Sequence, residues 1–315
     1  MELARVAPEL RGRLRPAHLG GAVDRPWSFR LIRAAMHLLP TTRVEGVALA
    51  KLPAAGPGVR VYRPFVARSA AGLFWIHGGG MVIGRAAQND RLCGEMARTL
   101  GITVVSVEYR KAPEHPFPAP LDDCHAGWRW LQGEGDRLGI DAARIAIGGE
   151  SAGGGLAAAL AQRLHDEGGM QPVGQLLLCP MLDDRTAERH ELDPIDHFVW
   201  NNRRNRFGWR SYLAREPGSV SAPEYAVPAR RDRLDGLPPA WMGVGEIELF
   251  HDEVVAYAER LRGAGVPVEL DVVPGAVHGF EVWAPDTMLA RDHLGRAHAW
   301  LGRTLGVDVD PAVPA

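Results

Sequence analysis

The chain has 315 residues, with 36 Lys and Arg against 38 Asp and Glu, a formal charge of −2, and 46% hydrophobic residues. This is an ordinary globular composition with no basic stripe interleaved with aromatics, which argues against nucleic acid as a partner. The length suits one large α/β domain burying roughly three quarters of its unfolded surface.

No apolar run approaches the length of a membrane span, and Met1 to Arg15 lacks the apolar core of a signal peptide. A soluble, cytoplasmic protein is expected. Cys93, Cys124 and Cys179 are far apart and odd in number, with no metal-ligand spacing. Buried free thiols in a reducing compartment, and no metal site, are the expectation.

In chain order, residues 1–43 show no clear strand, and Trp27 to Leu39 has apolar positions at helical spacing, stopped by Pro40. Val44 to Leu52 and Val59 to Arg63 read as an antiparallel hairpin around Ala54-Ala55-Gly56-Pro57-Gly58. Leu73-Phe74-Trp75-Ile76 is a short apolar strand running into His77-Gly78-Gly79-Gly80. Asp90 to Leu100 reads as a helix ended by Gly101, and Ile102 to Val107 as a buried strand of a parallel sheet. Leu121 to Leu138 is a further helix. Arg144 to Gly148 is a strand, followed by Gly149-Glu150-Ser151-Ala152-Gly153 and a helix-like run to Leu164. Val173 to Cys179 is a strand stopped by Pro180.

Residues 183–236 break the alternation. They are rich in Arg, Asp, Trp and Asn, and predict helices and loops that form a cap together with residues 1–43. Trp200, Phe207, Trp209 and Tyr212 are read first as the cap's own core and second as a pocket lining. The alternation returns with a strand at Ala240 to Gly245, a helix at Asp252 to Arg262, a strand at Val268 to Val273 and a closing helix at Thr287 to Leu305. The sum is an α/β fold with a mostly parallel sheet covered on both faces. Its core would span 44–182 and 237–315, with the cap at 1–43 and 183–236.

Strand, G-x-S-x-G, helix is the context of a nucleophile elbow, which makes Ser151 the candidate nucleophile. A serine needs a base, and the base needs an orienting acid. His278 lies in a glycine-bearing loop after the last strand and before the last helix, where the chain order Ser, acid, His places a base. The acid belongs after the preceding strand, where Glu246, Glu248, Asp252 and Glu253 compete. Asp252 and Glu253 have a helix-dipole role of their own. Glu248 is therefore favoured, with Asp252 as runner-up. Gly78, Gly79 and Gly80 lie on a loop open to backbone approach. They and the N–H of Ala152 are the candidate oxyanion donors.

Taken together, His77-Gly78-Gly79-Gly80, Tyr109 to Pro118, Gly149 to Gly154 and His278-Gly279-Phe280 resemble the hormone-sensitive-lipase-like (bacterial family IV) esterases of the α/β-hydrolase superfamily, over roughly residues 44–305. The resemblance implies an eight-stranded sheet with a helical cap. It also implies a cofactor-free carboxylesterase acting on short- to medium-chain acyl esters through an acyl-enzyme, and a possible homodimer. It assigns Ser151 as nucleophile, His278 as base, and Gly79, Gly80 and Ala152 as oxyanion donors, with Gly78 adjacent; His77 and Ala112-Pro113-Glu114 become structural supports. Three departures stand out. Glu248 occupies the place of an Asp, Met81 that of an aromatic residue expected to wall the pocket, and Lys111 that of a Leu. Amide hydrolysis, acyl transfer and a non-catalytic receptor-like role are the alternatives on the same fold.

Overall fold

The computed structural model describes residues 1–14, 26–38, 41–54 and 56–309. Leu39, Pro40 and Ala55, which entered the readings of the first helix and the hairpin turn, lie outside the described residues, as do 15–25 and 310–315.

Eight strands form one sheet: β1 (Val47–Leu52), β2 (Val59–Pro64), β3 (Gly72–Ile76), β4 (Thr103–Val107), β5 (Ile145–Glu150), β6 (Gln175–Leu178), β7 (Ala240–Gly245) and β8 (Val268–Val273). Their spatial order is β1-β2-β4-β3-β5-β6-β7-β8. β2 is antiparallel to both β1 and β4, and the remaining pairings are parallel. The helices among the described residues are α1 (Pro8–Arg11), α2 (Pro26–Leu38), α3 (Asp90–Leu100), α4 (Ala119–Leu138), α5 (Ala152–Glu167), α6 (Asn202–Leu213), α7 (His251–Gly263), α8 (Phe280–Trp283) and α9 (Met288–Leu305). Asn201 caps α6 by accepting from the N–H of Arg204, and Thr287 caps α9 by accepting from that of Ala290.

Period-two alternation sorts β3 onto two cores. Phe74 and Ile76 face a core filled by α4, α5 and α7 through Trp128, Leu160 and Tyr257. Leu73 and Trp75 face a second core filled by α3 and α9 through Met96 and Trp300. Both faces of the central strands are thus covered, which is why β3, β4, β5 and β6 are buried along their whole length. A third, smaller cluster joins Val6 and Leu10 of the N-terminal segment to Val277 and Phe280 around the loop after β8. The N–H of Ala7 also donates to the carbonyl of Gly275, 2.8 Å away.

Residues 183–236 add no strand to the sheet. They hold α6 and short 3₁₀ turns. The loops that leave the C-terminal ends of β3, β5, β7 and β8 carry the candidate catalytic and oxyanion residues.

Candidate active site

The β5–α5 turn carries Ser151 at φ 52° and ψ −123°, a left-handed backbone that a serine adopts at a cost of about 1–3 kcal/mol. What holds it there is close packing by its neighbours. A Cβ on Gly153 would come within 2.1 Å of the Ile76 carbonyl oxygen, and one on Gly149 within 2.4 Å of Gly153. The N–H of Ser151 donates to the Leu178 carbonyl (2.8 Å), and its own carbonyl accepts from Met181 (3.0 Å). Ser151 occupies the N-cap position of α5, but its side chain makes no capping hydrogen bond to the helix.

The Ser151 hydroxyl donates to His278 Nε2 at 2.9 Å. On the other side of the ring, Nδ1–H donates to Glu248 Oε2, and Glu248 Oε1 is anchored by the N–H of Gly245 at 3.1 Å. Phe250 stands edge-on to the imidazole, with centroids 5.2 Å apart. Trp283 Nε1 donates to the His278 carbonyl at 2.9 Å. Burial by itself would lower the His278 pKa. The Glu248 carboxylate outweighs it by charge and hydrogen bond, Glu281 and Glu150 add to it, and the net shift is upward.

The competing acids are all employed elsewhere. Asp252 is exposed and pairs with Arg189 at 2.9 Å. Glu246 accepts from the N–H of Gly275 at 2.9 Å. Glu253 is buried and accepts from the N–H groups of Leu182 (2.7 Å) and Asp183 (3.2 Å) and from the Thr186 hydroxyl. Of the four candidates, only Glu248 meets His278.

Gly79 and Gly80 have φ of 117° and 60°, and a Cβ on Gly79 would lie 2.3 Å from the Ile83 carbonyl oxygen. The loop can fold back this tightly on Ile83 only with glycine at this position. Among the described residues none accepts a hydrogen bond from the N–H of Gly79, Gly80 or Ala152. Together with Ser151 and His278, Gly79 and Gly80 border a cavity of about 270 Å³, closed by Ile83, Trp200, Val282 and Trp283. Gly78 and Ala152 are not part of this wall.

The supports behind the loop are more extensive than the motifs suggest. His77 is fully buried, stacked on Tyr109 with centroids 4.3 Å apart; its Nε2 lies 3.3 Å from Glu108 and its Nδ1 2.8 Å from the Gly78 carbonyl. Burial lowers its pKa against the opposing pull of Glu108. Lys111, for which the sequence offered no role, donates to Glu108 and to the Tyr109 carbonyl and lies 4.9 Å from the Tyr109 ring centre.

Met81 corrects an expectation. It is buried in the core with a left-handed backbone (φ 62°) and does not wall the cavity; Trp200 covers Gly80 instead. The four aromatics of the 183–236 stretch divide. Trp209 and Tyr212 pack together in the core, Phe207 rests against it, and Trp200 faces the cavity. Cys93, Cys124 and Cys179 are buried and free, but Cys179 lies on the cavity wall. Ligand atoms of Cys179, Glu248 and His278 fall within 4.8 Å of one another, yet the Glu248–His278 hydrogen bond already spends two of those three donors on each other. Among the wall residues that the sequence does not single out are Ile83, Val282 and Trp283, and the polar Gln88 and Glu150 with Asn89 behind them. Polar side chains on an irregular turn carry no periodicity, and Glu150 was read only as the variable position of the elbow motif.

Comparison with known proteins agrees with this fold. The α/β hydrolase fold family matches residues 73–282. The carboxylesterase NlhH of Mycobacterium tuberculosis is 35% identical over 287 residues, covering 88% of this chain and 87% of its own. The ethyl acetate hydrolase of Pseudomonas putida is 36% identical over 239 residues, 70% of each chain. The crystal structure of esterase LipW from Mycobacterium marinum superposes with a TM-score of 0.85 at 36% identity, covering 96% of both chains. Sheet order, elbow, histidine loop and these relatives together make the chain a member of the α/β-hydrolase fold family, in its hormone-sensitive-lipase-like branch.

Proposed function

We propose that this carboxylic ester hydrolase cleaves short- to medium-chain acyl esters through a Ser151–His278–Glu248 triad and an acyl-enzyme. The observation that carries the reading is the single buried imidazole bonded to the Ser151 hydroxyl on one nitrogen and to the Glu248 carboxylate on the other. Ser151 Oγ attacks the ester carbonyl as His278 Nε2 takes its proton. The carbonyl oxygen becomes an oxyanion that the N–H groups of Gly79, Gly80 and Ala152 stabilise. The C–O bond to the alcohol breaks, and the alcohol leaves with the proton from Nε2. Water then attacks the acyl carbon, giving its proton to Nε2, and the acid departs as Ser151 recovers its hydrogen. Throughout, Glu248 holds the ring with Nδ1 protonated and stabilises the imidazolium without taking its proton.

In the same reading, residues 183–236 and the described residues of the N-terminal stretch 1–43 form a cap over the cavity. Support comes from α6. A Cβ on Gly208 would lie 2.9 Å from the Gly80 carbonyl oxygen, so this helix sits directly on the glycine loop. The N-terminal amine reaches the same stretch, 3.5 Å from the Asp196 carbonyl.

Hydrolysis of chromogenic acyl esters by the wild type beside Ser151→Ala tests the triad. The variant should fold and lose activity by several orders of magnitude. A variant that keeps more than about a tenth of the rate removes Ser151 from its role.

A further inference from the structure

We propose that Glu150 is a positioning residue that fastens the oxyanion loop to the nucleophile elbow, so that Gly79, Gly80 and Ser151 are held as one unit. The proposal rests on the triad reading above.

Glu150 immediately precedes the nucleophile, and its carboxylate is buried with no cationic side chain bonded to it among the described residues. Two neutral amides hold it. Gln88 Nε2 donates to Oε1 at 3.1 Å and Asn89 Nδ2 to Oε2 at 2.8 Å. Both amides are oriented from behind. Gln88 Oε1 accepts from the N–H of Arg85 (3.2 Å), and Asn89 Oδ1 accepts from Trp75 Nε1 (3.2 Å). Each amide therefore aims its NH₂ at the carboxylate. An acceptor-only group satisfies this cradle at both oxygens; a carboxamide would set NH₂ against NH₂ at one of them.

The same contacts reach the loop. The Glu150 side chain lies against Gly78 so closely that a Cβ there would meet Oε1 at 2.9 Å. Gln88 Nε2 is also 3.4 Å from the Gly78 carbonyl, which His77 Nδ1 approaches to 2.8 Å from the other side. Through Glu150 the last residue of β5 is tied to the first glycine after β3, and those two residues lead directly to the nucleophile and to the oxyanion donors. A buried carboxylate is costly unless its oxygens are satisfied; here burial pushes the Glu150 pKa up and the two amide hydrogen bonds oppose it, and in its ionised form Glu150 adds negative potential at His278. The ionisable groups facing His278 are Glu248 from the turn after β7, Glu281 from α8, Glu150 from β5 and Cys179 after β6, with His197 beyond Glu248.

The test uses four variants of the whole enzyme, each with kcat, KM, a pH profile and a thermal melt. Glu150→Gln should lower kcat by ~10–100-fold with little change in KM, as expected for donors displaced by a fraction of an ångström. It should also move the acid limb of kcat/KM to lower pH, because a negative charge near the base is gone. Glu150→Asp should leave that limb in place. Gln88→Leu, which removes the link to Gly78 without removing the charge, should lower kcat and leave the limb in place. It carries the test if Glu150→Gln does not fold. Ser151→Ala runs alongside, since loss of activity there keeps the triad intact whatever Glu150 does. The proposal is overturned if Glu150→Gln stays within twofold of wild type in kcat. It is equally overturned if Glu150→Gln and Glu150→Asp are impaired alike with the acid limb unmoved, which is the signature of packing alone.

Discussion

In the proposed mechanism His278 can accept the proton of Ser151 only while its ring is neutral. Its pKa is held above the ordinary 6.5, because the Glu248 charge and hydrogen bond favour the protonated ring more than burial disfavours it. The sign follows directly: below this raised pKa the base is already occupied, so activity should fall as the pH drops through a value above 6.5. A pH profile of kcat/KM on a neutral ester measures this, and an acid limb well below 6.5 would contradict it. The acid can be tested at the same scale. Glu248→Gln leaves the geometry but not the charge, and should cost on the order of 10³–10⁴-fold in kcat, as for a triad whose imidazole loses its orienting carboxylate. Asp252→Asn touches only exposed contacts, the pair with Arg189 and a 3.0 Å contact with His251, and should stay within about twofold, since exposed pairs of this kind contribute little. The reverse ranking would move the role to Asp252. The sequence could favour Glu248 only by elimination, since its neighbours had helix duties. The structure adds where those neighbours went: Glu253 to the backbone of Leu182 and Asp183, and Glu246 to Gly275.

At the scale of elements, legibility tracked periodicity. The bounds of α3, β7 and β8 were readable to the residue because each is an unbroken pattern bounded by glycine or proline, as at Gly101. Where tertiary contact decides, pattern fails. Trp200 and Trp209 occupy the same stretch with similar neighbours, yet one faces the cavity and the other is buried in the core. Met81 looked like a wall residue from its place after the glycines, but the left-handed turn it adopts swings it into the core. The inner face of α9 holds another residue that its pattern leaves unremarked. His298 is fully buried, and neither ring nitrogen has a hydrogen-bond partner among the described residues. Burial alone lowers its pKa from 6.5 to about 4. In the unfolded chain the ring takes up a proton below 6.5, while the folded chain resists until about 4. Stability should therefore be lost as pH falls through that window, by about 3 kcal/mol in all. Urea melts of wild type and His298→Leu at pH 7.5 and pH 5 check this. The variant should gain relative to wild type at the lower pH, and a stability difference independent of pH would refute the assignment.

For the molecule as a whole, the site is assembled from segments distant in the chain, and its size is set where they meet. The catalytic loops come from the sheet, but the covering wall comes from the 183–236 stretch. The Tyr212 carbonyl of α6 accepts from the N–H of Phe117 at 2.7 Å, which helps hold α6 down on the core, and Trp200 lies against Gly80. Among the described residues no helix is long and apolar enough to cross a membrane. The cavity is about 270 Å³, at the small end of the ~300–1,000 Å³ usual for ligand pockets, which favours a small ester over a long acyl chain. Wild-type kcat/KM over a series of p-nitrophenyl acyl esters should therefore peak at short chains and decline steadily beyond them. Trp200→Ala should move the peak toward longer chains, because the indole lies over Gly80 on the cavity wall and its Nε1 has no hydrogen-bond partner among the described residues to lose. The variant should pay for this in stability, by about 3–5 kcal/mol for a buried aromatic removed, so the series is read well below its melting temperature. A chain-length profile unchanged in Trp200→Ala, with the variant folded, would mean that the acyl chain does not lie beneath Trp200, and would leave Ile83, Val282 and Trp283 as the residues to vary next.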